Sequence, residues 1–311
     1  SDGTTEGTWM VRDIHRGAGG SVPTEMTAFG SGFCFAADDG SSGVEPWCSD
    51  GTADGTRRLA DLWPGTRGSA PRDLIEHAGR LYFSAEDGSF GRELWSTDGS
   101  TGGTALVLDI EAGAASSRPE PLGSIAAGLL FGASVDSSAA LWRTDGSAAG
   151  TVVVYEYVEP SSRDSATHGN RVYFADRYGD AWRSDGTEDG TDSLFLDNGF
   201  VAQDAGGFTS TPLGVVFWAD TESGRTLWCA SGSFAEAMPA PSGGTVVTLK
   251  GELFFPAGSP ARLWRSDCTT PGTSEIPNED GHTQVSVPTV LGDALYFRAS
   301  TPAHGRELYR Y

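Results

Sequence analysis

The 311 residues include 43 Gly and 16 Pro, and 42 acidic side chains against 21 basic ones leave a net charge of −21. Gly and Pro interrupt helices, so short strands joined by Gly- and Asp-rich turns are predicted instead. The acidic excess argues against a phosphate backbone or an anionic membrane surface as partner, since both call for a basic footprint. No stretch approaches the roughly 20 apolar residues that span a bilayer.

In chain order, Ser1-Asp2-Gly3-Thr4 reads as a turn, and Trp9-Met10-Val11-Arg12-Asp13-Ile14 as an outer strand with no blade of its own. A first full unit follows, with a strand at Phe33-Cys34-Phe35-Ala36-Ala37, another at Glu45-Pro46-Trp47-Cys48 and an outer one at Leu59-Ala60-Asp61-Leu62. The second repeats it with Pro71-Arg72-Asp73-Leu74-Ile75, Leu81-Tyr82-Phe83, Glu93-Leu94-Trp95 and Leu106-Val107-Leu108-Asp109-Ile110. Aromatic anchors continue at Trp142, Trp182, Trp228, Trp264 and Tyr309, so the seven stand 48, 47, 40, 46, 36 and 45 residues apart.

Four short strands in about 44 residues, seven times over, predict a seven-bladed β-propeller in one domain spanning residues 1–311. We label the strands of a blade A to D from the axis outward, with the anchor on C. Residues 307–311 form a strand C without its D, and residues 9–14 a D without its blade. The ring is therefore expected to close by pairing them, residues 1–14 completing a last blade built from about 275–311.

The run Glu93-Leu94-Trp95-Ser96-Thr97-Asp98-Gly99 is similar to the signature of the ELWxxDGT-repeat proteins, which are secreted or surface-associated and bacterial. Further copies of its turn start at Ser49, Thr144 and Ser184, whereas repeat 5 has Ala230-Ser231-Gly232 and repeat 6 has Cys268 in place of the turn Gly. The resemblance implies a propeller and export, and no general activity. The turns also resemble the Asp-box hairpins of sialidase propellers, in which a short acidic side chain accepts backbone N–H groups. Ca2+ is the cofactor that such carboxylates would take, but one Asp per turn supplies few oxygens.

Cys34 and Cys48 fall nearly opposite one another about a turn near Ser41, and Cys229 and Cys268 lie in adjoining blades. Two disulfides, Cys34–Cys48 and Cys229–Cys268, are predicted, and with them an oxidising, extracellular or cell-surface compartment.

The D–A and B–C loops of a propeller share one face, here called the top, and the variable sequence of this chain falls there. Variable loops on a rigid frame are where binding resides. The candidate ligand-binding residues are His15, Trp63, Arg67, Asp87, Tyr178, Asp220, Arg225, His282 and His304. This mixture suits a glycan, peptide or protein ligand. The chain is expected to be a monomer. No catalytic residue is assigned, because no HExxH, GxSxG or P-loop pattern occurs. The alternative is a hydrolase or lyase in the central funnel, metal-dependent through His15, His282 and His304 with Asp38 or Asp280.

Overall fold

The computed structural model describes residues 3–196, 202–221, 224–231, 234–241, 243–277, 281 and 283–311. Among them there is no helix, and the strands form seven sheets. The chain divides into two compact units, Ser1–Ser162 and Arg163–Tyr311.

The first unit holds three antiparallel meanders. They are β1 (Thr24–Phe29) to β4 (Arg57–Arg58), β5 (Arg72–His77) to β8 (Ala105–Leu108), and β9 (Glu120–Ile125) to β12 (Val152–Glu156). Strands B and C of the first are β2 (Gly32–Asp38) and β3 (Val44–Ser49). Those of the second are β6 (Arg80–Glu86) and β7 (Arg92–Thr97), and those of the third β10 (Gly128–Val135) and β11 (Ser138–Thr144). In β2 and β6 consecutive residues are buried, because both faces of the sheet are covered. Leu81 packs with Cys34, Cys48 and Leu59 of the first sheet, while Tyr82 and Leu94 pack with Leu129 and Phe131 of the third.

In the second unit, β13 (Pro160–His168), which begins at the boundary, leads a sheet ending at β16 (Asp192–Ser193). The fifth sheet runs from β18 (Gln203–Thr211) to β21 (Phe234–Pro241), with β17 (Phe195–Leu196) added parallel to β21. The sixth runs from β22 (Val247–Leu249) to β25 (Ser274–Glu275), and the seventh holds β26 (Thr283–Leu291), β27 (Ala294–Thr301) and β28 (Gly305–Arg310).

One cross-strand pair recurs in all seven sheets. Phe35 faces Trp47, Phe83 faces Trp95 and Phe131 faces Trp142. Phe174 then faces Trp182, Phe217 faces Trp228, Phe255 faces Trp264 and Phe297 faces Tyr309. Paired rings on B and C give each sheet a large apolar area to bury against its neighbour.

Both disulfides form as predicted. Cys34 and Cys48 are register partners with Cα atoms 4.0 Å apart, and Cys229 and Cys268 join the fifth sheet to the turn after β24 (Arg262–Ser266) at 5.5 Å.

The expected ladder between residues 9–14 and 307–311 is not among the described pairings. Residues 9–14 carry no strand, and the seventh sheet has three strands. The segment is held by side chains instead. Arg12 donates to the carbonyls of Ala53 and Thr56, and Ile14 packs on Phe35, Ala37 and Trp47.

Candidate functional site

The loops entering the first three sheets share one sequence, Asp-(Ile/Leu)-x-x-Gly, at residues 13–17, 61–65 and 109–113. Each ends on a left-handed glycine, with φ of 97° at Gly17, 108° at Gly65 and 86° at Gly113. Asp13 accepts the Gly17 N–H at 3.4 Å, and Asp109 that of Gly113 at 3.0 Å. The apolar second residue enters the core of the next sheet, Ile14 on Phe35 and Trp47, Leu62 on Phe83 and Trp95, Ile110 on Leu129 and Phe131.

The third residue lies on the B–C turn of that sheet. A Cβ on Gly40 would stand 2.5 Å from Nε2 of His15, and one on Gly88 would stand 2.9 Å from the Trp63 ring. Glu111 accepts the Asp136 N–H at 2.7 Å. His15 and Trp63, expected as ligand residues, are therefore buttresses between loop and hairpin.

Two fully buried carboxylates fix these loops from below. Glu45 accepts N–H bonds from Leu62 (3.2 Å), Trp63 (3.1 Å) and Ser69 (3.1 Å) and the Ser69 hydroxyl (2.6 Å). Glu93 accepts N–H bonds from Ile110 (3.2 Å) and Ser117 (2.8 Å) together with the Ser117 hydroxyl. Burial pushes both carboxyls above the usual glutamate range, and the serine and backbone donors pull the other way. The glutamate of the repeat signature is thus a loop anchor.

Above this frame lies a cavity of about 340 Å³, lined by the second sheet and the entry to the third. Arg92 is its base. The guanidinium donates to Ala70 O (3.0 Å), Ser84 O (3.1 Å), Ser84 Oγ (3.0 Å) and Glu86 Oε1 (3.2 Å), and burial lowers its pKa. The other oxygen of Glu86 faces Arg67 at 3.5 Å, and Arg67 stacks 4.0 Å above the Trp63 ring. Arg72, Asp73, Arg118 and Glu120 form an exposed rim. Asp73 donates its N–H to Glu25 at 2.8 Å, and its carboxyl, although the residue is exposed, is raised by partial desolvation at the cavity edge and then by Glu25 and Glu120. The rim thus offers both charges around a polar, half-open cavity, an arrangement that orients a ligand carrying both.

Of the expected residues in this unit, Arg67 does not line the cavity but pairs with Glu86, which does. Asp87 turns inward on its own loop and accepts the N–H groups of Ser89 and Phe90, each at 2.8 Å. In the second unit, Arg225 brings Asp220 and Asp204 together, with both carboxylates 3.3 Å away. Tyr178 is exposed beside Arg177, and His304 caps Thr301 through its N–H at 3.2 Å. His282, like Asp280, lies outside the described residues. No group of three or more His, Cys, Asp or Glu is placed to hold a metal among the described residues. Arg72, Asp73, Arg92, Arg118 and Glu120 were not expected at the site. The signal available was the charged pair Arg72-Asp73 at the start of an inner strand, where apolar residues would suit a core.

The Asp-Gly turns on the opposite edge use their carboxylates internally. Asp50 Oδ1 accepts the Thr52 N–H (2.9 Å) and hydroxyl (2.7 Å), and Asp98, Asp145, Asp185 and Asp267 repeat this pair of bonds. Cys268 holds the left-handed position, with φ of 71°, that glycine holds in the other four.

No protein-family model and no curated protein matches the sequence. Among solved structures, the chain is similar to the computationally designed Ika8 protein, at 14% identity and a TM-score of 0.49 over 93% of this chain and 83% of that one. It is similar to a prolyl endopeptidase at 12% identity and a TM-score of 0.49 over 93% of this chain, which spans 47% of that enzyme's length. It also resembles the β-propeller domain of the Trilobed protease from Pyrococcus furiosus, described as having an open velcro topology, at 13% identity and a TM-score of 0.46 over 94% and 96% of the two chains.

Proposed function

We propose that this chain is a secreted or cell-surface bacterial propeller of seven blades that binds a protein segment through its top-face loops, with the Arg72–Arg118 cavity as principal contact. The observation that carries this reading is the rim of Arg72, Asp73, Arg118 and Glu120 around a cavity of about 340 Å³. Alternating charge complements a polypeptide carrying both signs. A glycan would want an open aromatic platform, and Trp63 is covered by Arg67 and by Gly88. The two disulfides support an oxidising compartment. The repeated turn signature supports membership of the ELWxxDGT-repeat group. A hydrolase or lyase has no observation in its favour among the described residues.

The same reading closes the sheets into a ring, with residues 9–14 as the outer strand of the seventh blade. Its support is that Ile14 stands to Phe35 and Trp47 as Leu62 stands to Phe83 and Trp95. Binding of mixed-charge peptide and glycan arrays by the wild type and by Arg72→Ala/Arg118→Ala tests the ligand. Peptide binding should be lost in the variant at an unchanged melting temperature. Binding to glycans alone, or peptide binding indifferent to both arginines, overturns the assignment.

A further inference from the structure

We infer that the cavity beside the second sheet seats a primary ammonium group of the bound segment on Asp73. The inference rests on the peptide-binding reading of that cavity and names the chemical group that is recognised there.

The register of the inner strands fixes which residues correspond to Asp73. Thr24, Arg72, Glu120 and Gly206 pair with Ala36, Ser84, Gly132 and Trp218, each of which follows the phenylalanine of its strand B. The next residues along, Glu25, Asp73, Pro121 and Gly207, therefore share one position of strand A.

At this position the carboxylate of one sheet takes the N–H of the next. Glu25 accepts that of Asp73 at 2.8 Å. Within the second unit, Asp164 of β13 accepts those of Gly207 at 2.6 Å and Phe208 at 2.8 Å. The counterpart that Asp73 would draw on is Pro121, and proline has no N–H to give. Among the described residues no N–H or O–H donates to the Asp73 carboxylate, so its acceptor capacity stays open at the edge of the cavity.

The surroundings select the donor. Partial desolvation raises the Asp73 carboxyl first, Glu25 and Glu120 raise it further, and Arg72 and Arg92 oppose them more weakly. A neutral amide would satisfy the acceptor and leave the three carboxylates repelling one another, whereas a cation relieves both. An ammonium is a compact charge with three donors. A guanidinium would bring its planar fork among Arg72, Arg92 and Arg118, which already line the cavity. The ammonium has two sources in a polypeptide, a lysine side chain and a free amino terminus.

A mixed-charge peptide array tests this, with each sequence unmodified, acetylated on lysine, acetylated at the amino terminus, acetylated at both, and with lysine replaced by arginine. It is read with the wild type, Asp73→Asn and Pro121→Gly. We expect acetylation of the recognised amine to weaken wild-type binding roughly ten- to a hundredfold. Asp73→Asn should weaken the unmodified peptides as much, and acetylation should then cost little more. The acetylation that matters tells lysine from terminus. Pro121→Gly supplies an N–H and the left-handed freedom that Gly207 uses, with φ of 73°. It should lower the raised Asp73 midpoint in carbon-detected NMR and weaken the same peptides. A lowered midpoint with undiminished binding overturns the seat on Asp73. Peptides bound equally when every amine is acetylated, bound by Asp73→Asn as by the wild type, or preferred in the arginine form overturn the ammonium and leave the peptide reading standing. An array on which the wild type binds no peptide overturns both.

Discussion

Ser69 gives Glu45 two hydrogen bonds, one from its N–H at 3.1 Å and one from its hydroxyl at 2.6 Å, across 24 residues of chain. Its carbonyl at the same time accepts the Glu86 N–H at 2.9 Å. One serine thus ties strand C of the first sheet to strand B of the second and pins the loop between them.

Removing such a carboxylate strands its donors. Glu93→Ala leaves the N–H groups of Ile110 and Ser117 without their acceptor in a buried place, and should cost about 2–4 kcal/mol in urea unfolding. Glu93→Gln should cost less, because one carbonyl oxygen still accepts while the new NH2 faces a donor.

The same carboxyls set a pH trend. Their native pKa lies above the ordinary 4.5, so the native state binds protons more tightly than the unfolded state. Stability from these two groups is greatest at low pH, falls as pH rises through 4.5 towards the raised native value, and is level above it. Glu45→Gln/Glu93→Gln should flatten that descent in urea titrations across the window.

Asp39 produces the opposite trend. Burial alone would raise it, yet the Ser41 hydroxyl, the Ser41 and Ser42 N–H groups and Arg58 bring it from 3.8 down to about 2. Its stabilisation is present above pH 3.8 and is lost as pH falls through about 2. Carbon-detected NMR titration should give a midpoint near 2 in the wild type and a clearly higher one in Ser41→Ala/Arg58→Ala, which keeps the two backbone donors but loses the hydroxyl and the guanidinium.

The Asp-Gly turns are limited by space. A Cβ on Gly55 would lie 1.9 Å from Asp50 Oδ1. Gly55→Ala should therefore destabilise by about 1–3 kcal/mol, and by clearly less when Asp50 is already Ala. Equal costs in the two backgrounds would show that the carboxylate is not the obstacle.

Disulfide removal should act on the unfolded chain, by an amount that grows with the logarithm of the loop released. Cys229→Ser/Cys268→Ser frees a separation of 39 residues, against 14 for Cys34→Ser/Cys48→Ser. The expected losses are about 4 and 3 kcal/mol respectively, read from thermal melts without reductant.

The repeat was legible because one physical demand recurs. A sheet covered on both faces needs a ring at the same place in every B and C strand, and Phe83 opposite Trp95 meets it as Phe297 opposite Tyr309 does. The disulfide between Cys34 and Cys48 was legible from hairpin arithmetic. The site was not. Glu45 and Glu93 look like surface residues in a signature, and their burial depends on donors 17 to 24 residues downstream, in loops whose shared Asp-(Ile/Leu)-x-x-Gly pattern does not by itself point to a carboxylate. His15 and Trp63 look like recognition residues because they sit in loops, yet glycines at 40 and 88 make room to dock them. Arg92 and Arg118 become neighbours only after the loop at 109–117 folds back on Glu93, where Arg118 N bonds Arg92 O at 3.2 Å.

The interlock of Glu45, Ser69 and Glu86 also decides where the chain tolerates being opened. The stretch joining two sheets is the intuitive place for new termini in a circular permutant or for a proteolytic nick, but a break between Leu62 and Ser69 would separate the donors of one carboxylate. The hairpin tips between strands A and B have no such duty. At Gly30 and Gly79 nothing stands within 4 Å of where a side chain would begin. Permutants opened there should stay folded, whereas those opened between the sheets lose the charge that organises the next sheet's entrance.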